Sequence, residues 1–155
     1  MSTKTKTFNP KKLKTRLPNK PSALIRAAIA DLIAVEKDKT YVVDMSMWHS
    51  SPFESDACHV CLAGAVLVKT CNVPRDFDYI NSQVPTAVFG DTLGRKLGAL
   101  DMFRRGDVRD GLALLNLALP VGVAGEITVP YYDDDKKAFK QTLLKLAHVL
   151  EAAGL

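Results

Sequence analysis

The chain has 155 residues, a formal net charge of +4, 47% apolar residues and 25% charged ones, the composition of a folded domain rather than a disordered chain. Its longest apolar stretch, Cys61 to Val68 with Gly64 inside it, is far short of the roughly 20 residues a membrane span requires, and no apolar region follows the basic start to make a secretory signal. Three cysteines, an odd number, argue against a disulfide framework and predict a cytoplasmic protein.

The positive charge is concentrated at one end. Residues 1–20 hold seven basic residues and no acid, whereas the rest carries 14 basic and 17 acidic groups. Pro10, Pro18 and Pro21 interrupt this arm and predict that it forms no helix of its own. A flexible basic arm over 1–20 and one globular domain over 21–155 are therefore expected. The arm reads as a mobile solubilising tail or as a clamp on phosphates. In the second case Lys11, Lys12, Lys14 and Arg16 are the candidate nucleic-acid contacts.

The domain opens with Pro21-Ser22, a helix start signal, followed by Leu24, Ile25, Ala28, Ile29, Leu32 and Val35 on one helical face. This helix is expected to stop near Asp38. Tyr41 to Met45 reads as a short strand. A second helix is expected from Asp56 or Ala57 to Lys69. It is apolar on nearly every side and therefore buried, with Gly64 permitting close approach of a neighbouring backbone. Residues 71–90, with Pro74 and Pro85, read as a long irregular connection. A helical hairpin follows: one helix from Asp91 ends at Gly106, and the next starts at Asp107 and carries a stripe from Val108 to Leu119. Glu126 to Val129 alternates like a strand. The last helix starts behind Asp133, Asp134 and Asp135, buries Phe139, Leu143, Leu146, Ala147 and Leu150, and leaves His148 in solvent. The predicted fold class is α+β, mostly α. About five helices pack around a buried central one over roughly residues 57–69, with two short strands or extended segments.

Residues 44–61 contain the only tryptophan, two of three histidines and two of three cysteines. Between rigid elements, such a segment is where binding and catalytic sites are usually built. If Cys58 and Cys61 lie on one helical turn, their thiols face the same way. With His49 they would supply three zinc ligands, and Glu54 or Asp56 a fourth. Zinc-dependent deamination needs His-x-Glu and Pro-Cys-x-x-Cys; His49-Ser50-Ser51 and Ala57-Cys58 depart from both halves and lie too close together. A thioredoxin-like thiol site lacks room between Cys61 and Pro85 for that fold's intervening elements. A cysteine nucleophile lacks a histidine base from elsewhere in the fold. The plain alternative is that both cysteines are small core residues, that Trp48 plugs the end of the core, and that Asp44 and His49 satisfy loop backbone or one another. In that case the loop from Asp44 to Cys58 is still a candidate binding surface, with Trp48 as apolar anchor, His49 as polar contact, and Asp44 and Phe53 beside them. Gly90, Gly94 and Gly98 read as packing glycines, and Arg104, Arg105 and Arg109 as a basic hairpin turn that could meet an acidic partner.

Pro21 to Arg26 leading into Ala30-Asp31-Leu32, then Val43-Asp44-Met45, Trp48-His49 and Cys58-x-x-Cys61-Leu62-Ala63-Gly64-Ala65-Val66 resemble a family of small uncharacterised proteins of tailed bacteriophages and prophages. The likeness extends to Leu100-Asp101-x-Phe103-Arg104-x-Gly106 and the final helix, and leaves out the arm. It implies a phage origin and a host-cytoplasmic setting, not a reaction. The expectation is a non-enzymatic accessory protein without a cofactor that binds a host protein or small ligand, for example in counter-defence. Zinc binding through His49, Cys58 and Cys61 and nucleic-acid binding through the arm are the alternatives. No membrane contact is expected, and a homodimer is permitted.

Overall fold

In a computed structural model, which describes residues 8–50, 57–79, 83–117 and 122–155, the first apolar stripe becomes the buried face of α1 (Pro21–Glu36). Proline occupies the first turn, where its missing N–H costs nothing. Ser22 does not cap this helix; its Oγ donates to the carbonyl of Leu155, 2.7 Å away, and so ties the start of α1 to the residues after α7 (Lys136–Ala152). Alongside, Arg26 pairs with Glu151 on α7. At the far end Glu36 accepts from the Tyr132 hydroxyl at 2.5 Å and from Lys140 Nζ at 2.6 Å. The stripe predicted for α7 is buried in full, His148 is exposed, and the Asp135 carboxylate caps the helix by accepting from the Ala138 N–H.

The central helix is α2 (Leu62–Lys69), buried from Leu62 to Val68 and packed between α1 and α4 (Asp91–Arg104). It starts later than its apolar run suggests. Cys58–Val60 is a strand, β3, the middle member of a three-stranded sheet with order β1-β3-β2. β1 (Tyr41–Val43) runs parallel to it, pairing Tyr41 with Cys58, and β2 (His49–Ser50) runs antiparallel, pairing His49 with Val60. Local periodicity cannot separate a short buried strand from the first turn of a buried helix. Here the hydrogen bonds offered by residues 41–43 and 49–50 decide it. Gly64 allows this arrangement: a methyl group at that position would overlap the Trp48 carbonyl, and the Cys61 N–H donates to the same carbonyl oxygen at 3.4 Å.

Two further expectations are corrected. The connection before α4 contains a short helix, α3 (Pro85–Phe89), again with proline at its first turn. The segment Glu126–Val129 follows α6 (Gly122–Gly125) and pairs with no described strand; Val129 is buried by packing alone. The hairpin of α4 and α5 (Val108–Leu114) is as predicted, with Gly106 at φ +85° after the first helix. α5 ends at Leu114, earlier than its stripe suggested. The fold is α+β and mostly α: seven α-helices and one small sheet among the described residues. No helix among them is long and apolar enough to cross a membrane.

Residues 8–20 are not detached from the body. Leu17 is buried, Phe8 meets Phe77 edge-on at 5.0 Å, and Lys96 Nζ donates to the Leu17 carbonyl and to Asn19 Oδ1, both at 2.8 Å. Residues 8–20, expected to be a free arm, thus lie as a strap across the start of α4.

Candidate functional site

β2 and its approach carry the residues singled out by sequence, and the fold turns them inward. Trp48 is 2% exposed and His49 1%. Trp48 is therefore not an exposed anchor; the indole packs on Tyr79 with ring centroids 4.5 Å apart. Phe53, Glu54 and Asp56 lie outside the described residues. Asp44 is half-buried and accepts from Ser46, and its Oδ2 lies 3.2 Å from His59 Nδ1. Burial raises the Asp44 pKa, but the hydrogen bonds from Ser46 and His59 outweigh it and hold the carboxyl below its usual range.

His49 Nδ1 donates to the Phe77 carbonyl, and this leaves Nε2 as the acceptor facing the Cys58 thiol at 3.5 Å. Burial lowers the imidazole pKa and outweighs the opposing Phe77 carbonyl and the carboxylates of Asp78 and Asp76, so the ring is neutral. The structure thus joins His49 with Cys58 as a buried, hydrogen-bonded pair.

Cys61 is on the other side. Residues three apart across a strand and its extended continuation point to opposite faces, not to one face as on a helix. Burial, reinforced by the Asp101 carboxylate, pushes the Cys61 thiol up to about 12. Cys71 is beside Thr15 and Asp31, and burial pushes it up to about 11. None of the three cysteines forms a disulfide. Among the described residues no group of three or more His, Cys, Asp or Glu side chains is placed to hold a metal ion.

Trp48 also forms part of the floor of a cavity of about 390 Å³. Tyr79 lies beside it, Pro85 and Thr86 of α3 make one wall, and Gly94, Gly98 and Met102 of α4 make another. The lining is mainly apolar. Arg95, Arg105 and Asp101 bring its charge. Asp101 is buried, accepts from Arg104 Nε at 2.8 Å and forms an ion pair with Arg105, whose Nε lies 3.1 Å away. Two guanidinium groups against one carboxylate leave one positive charge in excess beside the cavity. Arg95 pairs with the exposed Asp91 at 3.0 Å, a pair that water screens. No histidine, cysteine or serine is among the described lining residues.

Comparisons with protein-family models, with curated proteins and with solved structures found no match.

Sequence reasoning identified Trp48 and left it either an exposed anchor or a plug at the end of the core; the structure buries it. It noted Gly94 and Gly98 for close packing and Arg105 for a basic turn, without joining them. Tyr79 and Asp101 as lining residues were missed. A tyrosine between two turn segments carries no periodic signal, and an aspartate on a helix reads as solvent-facing until its arginine partners are placed.

Proposed function

We propose that this chain is a non-enzymatic binding protein whose ligand is a small, flat, largely apolar molecule with one anionic group, held in the cavity between α3 and α4. The observation that carries this reading is the combination of an aromatic and apolar lining with the guanidinium groups of Arg95 and Arg105. Apolar walls with a few polar groups are the usual make-up of small-ligand sites. Arginine is the side chain suited to planar anions such as carboxylates. The one lining carboxylate is already engaged by two arginines, which favours recognition over acid–base chemistry. The proposed setting, the cytoplasm of an infected bacterium where sequestering a host metabolite is a counter-defence act, rests on the resemblance to small phage proteins alone.

Trp48 is the only tryptophan, so its emission reports on the cavity directly. Titration with 8-anilino-1-naphthalenesulfonate, an aromatic sulfonate, is expected to quench Trp48 saturably at one probe per chain. The uncharged N-phenyl-1-naphthylamine is expected to bind at least tenfold more weakly. Arg95→Gln with Arg105→Gln should remove that preference while unfolding stays cooperative. Absence of saturable quenching, or equal binding of both probes to the unaltered protein, would sink the proposal.

A further inference from the structure

The strap has a division of residues that its docking creates. Along residues 13–17 burial alternates: Leu13, Thr15 and Leu17 turn toward the body, while Lys14 and Arg16 are exposed. Lys11 and Lys12, on a 3-10 turn capped by Asn9, are exposed before them, and Lys20 after them. No ion pair joins any of these five cations to a described acid. In an extended chain, side chains two residues apart on one side stand roughly 6.5 Å apart. Lys14 and Arg16 are thus held at that spacing in the middle of a basic row, with Lys11 and Lys12 before them and Lys20 after, on a body whose own net charge is negative.

We propose that this row is a contact surface for the phosphate backbone of duplex nucleic acid, read without regard to sequence. The proposal is independent of the cavity, which no strap residue lines. Three observations favour this partner. The apolar side chains of the strap face inward, so the row offers no exposed aromatic or aliphatic anchor of the kind that dominates protein–protein contacts. Phe8 is engaged with Phe77, so the stacking platform that single strands use is missing. What remains is charge alone, and charge alone suffices for non-specific duplex binding, through counterion release. Docking holds the row in place before contact, so less ordering entropy is lost than for a free tail. The negative body turns the strap face toward a polyanion.

The test is fluorescence anisotropy of a labelled 20-base-pair duplex of arbitrary sequence over a salt series. With all five cations on phosphates, log affinity should fall against log salt with a slope of about −4.5 or steeper, which is roughly 500-fold between 50 and 200 mM. The triple variant Lys12→Gln, Lys14→Gln, Arg16→Gln should make the slope shallower by about 2.7. Its thermal unfolding should be unchanged, since all three side chains are exposed. A single strand of the same length should bind more weakly, and poly-L-glutamate should fail to displace the duplex at equal charge concentration. The proposal is overturned by no duplex binding at 50 mM salt or by an unaltered slope in the triple variant. Tighter binding of the single strand, or displacement by polyglutamate, overturns it as well; polyglutamate displacement would assign the row to acidic proteins.

Discussion

At His49 the chain buries an imidazole between the Phe77 carbonyl and the Cys58 thiol, with Asp76 and Asp78 on the neighbouring loop. Its pKa is lower in the folded protein than in the unfolded chain. The stability this confers is fully present above the unfolded value, near 6.5, and is lost as pH falls through the folded one. His49→Asn keeps a donor for the Phe77 carbonyl and removes the titration. Between pH 7 and 5 the unaltered protein should lose stability with a slope up to about 1.4 kcal/mol per pH unit steeper than the variant's. Denaturant unfolding at several pH values measures this, and parallel profiles would show that His49 does not control the acid side. Asp38, held near about 2 by hydrogen bonds from Thr40 and Lys69, titrates in a separate, lower window.

Two glycines of α4 look alike in sequence and differ in surroundings. A Cβ at position 94 would lie 2.5 Å from the Thr86 Cα, inside the backbone of α3, whereas one at 98 would meet only the Leu114 and Pro85 side chains at 3.5 Å or more. Gly94→Ala must push α3 off α4 and should cost about 1–3 kcal/mol. Gly98→Ala meets no backbone and removes the flexibility of a helix glycine, so it should stabilise by about 0.5–1 kcal/mol. It also narrows the cavity and should weaken the aromatic sulfonate probe. Thermal unfolding and probe titration of the two variants test both statements. A stable Gly94→Ala would mean that α3 is not fixed where it is seen. The α4–α5 hairpin and α7 were legible because caps and stripes are local signals. The β3 strand was not, because its identity depends on partners up to 17 residues away in the register Tyr41–Cys58.

Across the whole molecule a run of aromatic contacts links the cavity floor to the strap: Trp48 on Tyr79, Tyr79 on Phe89, Phe89 on Phe77 and Phe77 on Phe8. The strap covers more than this. Thr15 faces Cys71, and Leu17 is buried. Leu17→Ser should release the strap and expose one thiol of three. In the native variant, Cys71 alone is expected to react with a thiol reagent, while Cys58 and Cys61, both fully buried, wait for global unfolding. Three protected thiols would show that the strap does not cover Cys71. Three reactive ones would show that the substitution unfolds the domain.

By itself the sequence determined the helix-rich class, the buried central helix, the hairpin, the terminal helix behind its three aspartates and the concentration of charge in the first 20 residues. Each rests on a local rule: the 3.6-residue period, acids at a helix start, a proline at a first turn, a count of charges. Only the tertiary structure decided that Cys58 and Cys61 face opposite ways, that Trp48 lies on a cavity floor, that Asp101 gathers two arginines and that residues 8–20 lie against the body. These are matters of which distant segment supplies the hydrogen-bond or packing partner. A strand three residues long or a buried carboxylate is stable only when that partner is in place, and no local pattern encodes it.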